Sequence, residues 1–216
     1  MFKGKFVVLT LMVVAVALSW QMMPGADAAY SGIVDAVNSD ATVPPGPAGP
    51  HCMLTDPVGQ GTRLDALGAV ISITARDNLN AAIPDIPAAD FWLIGATDNI
   101  ALCGGSAAIN ADSVSNGNGQ TTMSGVLRAG GFDLGVQVVI QSTVIVNPGG
   151  PLVLPITAVS TDITGDLQVS TADFALFAGA YPSPPKAYQG QYDFNCDGLI
   201  ALVDFAVFAQ HYLIIC

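Results

Sequence analysis

The chain contains no glutamate. All 17 acidic residues are Asp, set against six Lys or Arg and two His, for a formal net charge of −11. So few cations on so acidic a chain argue against binding nucleic acid or an anionic membrane surface, since both need clustered positive charge. Enzyme signatures are missing as well: there is no GxSxG elbow, no HExxH pair and no phosphate-binding loop. No CxxC pair exists and His51 and His211 stand alone, so zinc is not expected. His51 reads as a loop residue and His211 as a helix-surface one. One apolar run stands out, Phe6 to about Trp20, and it is shorter than the ~20 residues a membrane-spanning helix needs.

That run is preceded by Lys3 and Lys5 and followed by Pro24-Gly25 and Ala26-Asp27-Ala28, the parts of a secretory signal peptide. Residues 1–28 are therefore expected to be cleaved and the rest exported to the cell surface or beyond, with no membrane insertion afterwards. The leader takes one Asp and two Lys with it, leaving 16 acidic and four basic residues. Four cysteines in an exported chain read as two disulfides, for which three pairings exist. Sequence neighbourhood favours Cys52 with Cys103 and Cys196 with Cys216.

The tail carries the strongest signal. Asp162–Tyr181 and Asp193–Tyr212 repeat one unit at an offset of 31: 162 matches 193, 166 matches 197, 173 matches 204, and Phe174, Phe177 and Tyr181 match Phe205, Phe208 and Tyr212. In each copy Asp stands at places one, five and twelve of a twelve-residue loop, with Thr164 or Asn195 at place three. Hard Ca²⁺ takes about 6–8 oxygen ligands, and alternate side chains of a tight loop plus one main-chain carbonyl can supply them. The candidate ligands are Asp162, Thr164, Asp166, Gln168 (carbonyl) and Asp173, then Asp193, Asn195, Asp197, Leu199 (carbonyl) and Asp204. All six Asp from residue 162 onward are in these sets, with only Lys186 opposing them, so two Ca²⁺ would relieve their repulsion. Two loops in register are hard to explain as ordinary turn or helix-cap Asp. Gly198 provides the sixth-place turn in the second loop; Leu167 there in the first predicts strain and a weaker site. Val169 and Ile200 are expected to pair as a β-bridge between the loops. Each loop should run into a short helix whose aromatic stripe forms a small shared core.

A duplicated loop-plus-helix with no helix before each loop resembles the dockerin type I module over about the last quarter of the chain. The resemblance implies two antiparallel helices, two Ca²⁺ and a protein partner, a cohesin domain or another surface protein.

Ahead of the tail, residues 29–60 read as an N-terminal segment with a Pro/Gly-rich loop, VPPGPAGP, at 43–50. Residues 61–160 read as β-structure. Ile71, Ile73 and Ala75 alternate with Ser72, Thr74 and Arg76; Phe91–Ile94 and Asn99–Cys103 are short strands; Asn116–Gly119 is a turn feeding Thr121–Leu127; Val136, Val138 and Ile140 alternate again; and Leu152–Val159 closes the domain. The glycine pairs 104–105, 130–131 and 149–150 read as turns. Short strands at this spacing indicate an antiparallel sandwich. The stretch ISITARDNLNAAIPDIPAADFWLIG, with NADSVSNGNGQTTMSG after it, is similar to bacterial immunoglobulin-like repeats of the intimin and invasin kind, which implies a stalk or adhesive module. The expected fold is thus mainly β: an Ig-like antiparallel β-sandwich, then a dockerin-like helical pair at 161–216.

The sequence therefore predicts an exported, non-catalytic binding or structural protein with a calcium-stabilised docking tail. Two alternatives stand beside it. One is a carbohydrate-binding component of an extracellular polysaccharide-degrading assembly, with Phe91 and Trp92 as a stacking face. The other is a small glycoside hydrolase drawing a carboxylate pair from Asp56, Asp65, Asp90 and Asp133, although scattered Asp on such a domain are ordinarily solvated surface.

Overall fold

The computed structural model describes residues 32–46 and 49–216; the expected leader lies outside them. The described residues fall in one compact unit, and among them the structure is mainly β with two short α-helices. The segment read as an N-terminal lead-in contributes β1 (Asp40–Thr42) and β2 (His51–Thr55). β3 (Ile71–Thr74), β4 (Phe91–Gly95), β5 (Ile100–Leu102) and β6 (Gln120–Met123) fall where alternation and turn residues predict them. Next come β7 (Ala129–Asp133), β8 (Val136–Ile140), β9 (Thr143–Val144), β10 (Val146–Asn147), β11 (Gly150–Pro151) and β12 (Ile156–Ser160). The helices are α1 (Thr171–Ala180) and α2 (Leu202–His211), again 31 residues apart.

The strands form sheets ordered β1-β3-β6, β4-β8-β9 and β2-β12-β7-β5, with β10 and β11 as a hairpin. Inward side chains of all three larger sheets, among them Met53, Ile71, Phe91, Met123, Val138 and Ile156, share one apolar core. Burying such residues is the main stabilising term. β8 does not alternate: Gln137 and Val139 are buried with Val136, Val138 and Ile140. It is the middle strand of its sheet and covered on both faces, where an uninterrupted apolar run is the rule.

Two further departures matter for the tail. β2 pairs with β12 in parallel, Ile156 opposite His51 through Ser160 opposite Thr55, so the sheets are not purely antiparallel. And Gly130-Gly131 is not a turn but the middle of β7, between β12 and β5. Glycine inside a strand marks a place where something approaches closely. At Gly131, with φ 90°, an added Cβ would overlap the Asn99 carbonyl; at Gly130 it would overlap the Asp162 carboxylate. His51 is also corrected: it opens β2, is buried, and its Nε2 lies 2.8 Å from the Pro44 carbonyl.

β12 runs straight into the first tail loop, and the Gly131 N–H donates to the Asp162 carbonyl at 2.7 Å. The tail is thus a continuation of a central strand. Its own core of Val169, Phe177, Ala180, Tyr192, Phe194, Ile200 and Phe208 also takes in Leu54 from β2. Both disulfides cross the same boundary: Cys52 bonds Cys196 and Cys103 bonds Cys216. This overturns the pairing by neighbourhood, which assumed that sheets and tail close separately.

Candidate metal centre

The duplication holds at the level of single hydrogen bonds. Asp162 accepts from the Leu167 and Asp166 amides at 2.7 and 3.2 Å; Asp193 accepts from Gly198 and Asp197 at 2.8 and 3.2 Å. Asp166 accepts from Gln168, and Asp197 from Leu199, both at 2.9 Å. Asp173 accepts from the Thr164 and Ser170 amides at 2.8 Å each; Asp204 accepts from Asn195 and Ala201 at 3.4 and 2.8 Å. Every pair is displaced by 31. The twelfth-place Asp thus has two tasks. It closes the loop, and from the third position of the helix it reaches back to accept the amide of the N-cap residue, Ser170 or Ala201.

Both loops need left-handed backbone at places four and six: Gly165 and Leu167 in one (φ 70° and 66°), Cys196 and Gly198 in the other (φ 54° and 87°). Each loop therefore meets one left-handed position with glycine and one without. A left-handed non-glycine residue costs roughly 1–2 kcal/mol, offset in part by the entropy glycine loses on folding. Leu167→Gly is accordingly expected to stabilise the chain by about 1 kcal/mol and to tighten the first loop's cation affinity. Parallel urea melts and calcium titrations of variant and parent check it; a lower midpoint would mean that the Leu167 side chain contributes more than its backbone costs.

In the first loop the carboxylates of Asp162, Asp166 and Asp173 each bring an oxygen within 4.8 Å of the others. Among the described residues this is the one such set, so the loop expected to be weaker has the better-gathered carboxylates. Burial, with the like charges of Asp173 and Asp166, raises the Asp162 pKa, and burial with Asp193 nearby raises that of Asp204. A divalent cation would reverse that cost. Thr164 turns its hydroxyl onto Asp173 at 2.9 Å. Among the described residues no donor reaches the Gln168 or Leu199 carbonyl, so both keep their lone pairs open to a cation. In the second loop the Asn195 side-chain Nδ2 donates to Asp197 Oδ2 and the Tyr188 hydroxyl to Asp193 Oδ2, both at 2.9 Å. Tyr188 was not foreseen; its hydroxyl pKa is pushed up to about 12 by burial and by Asp193.

Val169 and Ile200 are both fully buried, but they are not each other's strand partners. Val169 exchanges hydrogen bonds with Leu213 and Ile214, and Ile200 accepts from Ser183. Each loop is thus tied to the segment following the other copy's helix. The aromatic stripes divide too. Phe177 and Phe208 stack at 5.7 Å and 13° in the core, whereas Phe174, Phe205 and Tyr212 are 42, 40 and 38% exposed. The buried helix faces are Asp173, Phe177, Ala180 and Asp204, Phe208, His211. His211 is therefore interior rather than surface, and the repeat register could have revealed it, because its counterpart is Ala180.

The exposed rings border two grooves of about 310 Å³ each. Phe174, Phe205, Phe208, Ala209 and Tyr212 line one; Phe174, Phe177, Ala178, Tyr181, Leu202 and Phe205 line the other. Leu202 apart, the linings exchange under the offset of 31.

The four Asp considered for hydrolysis have separate tasks. Asp56 and Asp133 are buried, contrary to expectation: Asp56 accepts loop amides and Asp133 accepts from Thr97. Asp65 pairs with Arg63 at the surface, and Asp90 lies in a short 3-10 turn before β4. Phe91 is core and Trp92 is half-buried.

The chain matches no family model and no curated protein. Among solved structures it is similar to the crystal structure of the Lin-41 filamin domain at 15% identity, over 57% of this chain and 95% of that one, with a TM-score of 0.30. A likeness of that size carries no argument about fold or function. Two disulfides suit an oxidising, extracellular kind of environment, and no helix among the described residues is long and apolar enough to cross a membrane.

Proposed function

We propose that this is an exported, non-catalytic binding protein: an Ig-like β-sandwich with a dockerin-like tail, stabilised by two Ca²⁺, that docks onto a protein partner. The observation that carries the reading is the twice-built carboxylate frame, with Asp162, Asp166 and Asp173 converged in its first copy. Asp162, Thr164, Asp166, Asp173 and the Gln168 carbonyl would hold one ion; Asp193, Asn195, Asp197, Asp204 and the Leu199 carbonyl the other. The cation supplies charge neutralisation and loop closure. The paired aromatic grooves support docking, since exposed rings clustered on one face mark interaction surfaces.

Calorimetry on residues 29–216 with both disulfides intact is the test. Two Ca²⁺ per chain, bound at or below about millimolar concentration, is the expected result; the absence of any heat there would remove the metal reading. Docking is checked by capture of a cohesin-like or other surface protein in calcium but not in chelator, with Phe174→Ser and Phe205→Ser together abolishing it. A second reading, binding of a neutral glycan, is favoured by an uncharged groove of about 430 Å³ lined by Ser72, Thr74, Asn116, Gln120 and Thr122 among others. Retention on an insoluble polysaccharide, unaffected by the phenylalanine changes, would select it.

A further inference from the structure

The two tail helices bury matching faces except at one place, where α1 has Ala180 and α2 has His211. An imidazole in a position that otherwise takes a methyl group calls for a partner, and it has one. His211 Nδ1 lies 2.8 Å from the Val207 carbonyl, which can only accept, so the proton is on Nδ1. Nε2 faces Oδ2 of Asp56 at 3.4 Å, across the boundary between tail and sheets. Asp56 is fully buried. Its Oδ1 accepts the amides of Val58, Gly59 and Gln60, while among the described residues only His211 faces Oδ2. A neutral imidazole protonated on Nδ1 would turn a lone pair toward a buried carboxylate oxygen. Only the imidazolium, with a proton on each nitrogen, suits this geometry. A second charged side chain at this corner is Arg128. It passes Gly59, but its guanidinium bonds the Cys103 and Ala107 carbonyls and leaves Asp56 to the histidine.

We infer that His211 and Asp56 form a proton-operated latch between the last helix and the sheets, closed while His211 carries its second proton and opened by its loss. Opening loosens the end of α2 and the segment after it. That segment reaches the first loop, since Leu213 donates to Val169, Val169 to Ile214 and Cys216 to Leu167. The Cys52–Cys196 and Cys103–Cys216 bonds keep the loosened tail attached.

The direction follows from linkage. The contact with Asp56 raises the His211 pKa above its ordinary 6.5, against the opposing effect of burial. Its contribution is therefore complete below 6.5 and is lost as pH rises through the raised value. For Asp56, burial acts to raise the pKa, but His211 and the Gln60 and Gly59 amides outweigh it and leave it below 3.8. That contribution is present above 3.8 and is lost as pH falls through the depressed value. The latch is closed in mild acid and opens on the alkaline side.

The experiment is NMR on the disulfide-intact chain 29–216 in chelator, from about pH 5 to about pH 9, following the His211 imidazole and the exchange protection of the Val169, Leu213 and Cys216 amides relative to β8. The expected result is a His211 midpoint above 6.5, with relative protection falling by about tenfold through that midpoint. Asp56→Asn and His211→Gln should each flatten the step, and His51→Gln should leave it. A midpoint at or below 6.5, or protection that does not change through it, would overturn the latch. The parent's own titration decides the matter even where a variant does not fold. The result is independent of the calcium reading, because no metal is present.

Discussion

Replacing Cys103 and Cys216 together by serine is expected to lower the unfolding free energy by about 4–5 kcal/mol, the chain-entropy value for closing a loop of about 100 residues. The two bonds span 113 and 144 residues, long enough for loop-closure entropy to be large. The bond from Cys103 to Cys216 fixes Cys216 to the residue after β5, so its loss also frees the segment that holds Val169. Denaturant melts of the double variant under oxidising conditions measure the effect. A loss smaller than about 1 kcal/mol would mean that apolar contacts such as Leu54 with the tail core hold the boundary alone. Non-reducing peptide mapping tests the pairing directly: Cys52 should be recovered with Cys196. Its recovery with Cys103 would restore two separately closed parts. With the tail clasped in this way, unfolding should follow one transition rather than two.

Gly130→Ala is expected to cost about 2–3 kcal/mol, a large effect for one methyl group and at the upper end of what overpacking produces. Residue 130 is not among the left-handed glycines, so alanine meets no backbone objection there. Its penalty would come from the Asp162 carboxylate, which occupies the space an added Cβ needs. Asp162 is also fixed through its carbonyl to the Gly131 amide, so it cannot retreat without breaking the ladder that leads from β12 into the loop. The first loop's cation affinity should fall with the stability, although no ligand has been changed. A double-mutant cycle with Asp162→Ala isolates the contact: the two changes should be strongly non-additive, because removing the carboxylate removes the clash. Gly130→Ala melting at the parent midpoint would show that the loop does not sit on β7.

The tail frame was legible because its contacts are local. The hydrogen bonds that shape each loop join residues two to ten apart, so Asp spacing and the repeat of 31 specify them directly. β3 was legible through alternation, β4 as a short apolar run and β6 through the turn at Asn116–Gly119 ahead of it. The stripe Phe174, Phe177, Tyr181 was read one step off, because rings lining a groove and rings filling a core share the same helical period. Asp173 and Asp204, buried polar residues, occupy part of the inward face instead.

By itself, then, the sequence determined the duplicated loops, the sharp turn at their sixth place, the helices that follow and most of the strands, all decided by neighbours along the chain. Only the tertiary structure decided which cysteines meet, why β7 carries two glycines, which segments flank Val169 and Ile200, and what His211 faces. These depend on β12 lying between β2 and β7 and delivering the tail against them. Strand order is set by the joint burial of side chains far apart in sequence, and many orders satisfy the same apolar pattern. The packed core selects one, and that choice turns a tail that reads as a separate module into part of the sheets' own structure.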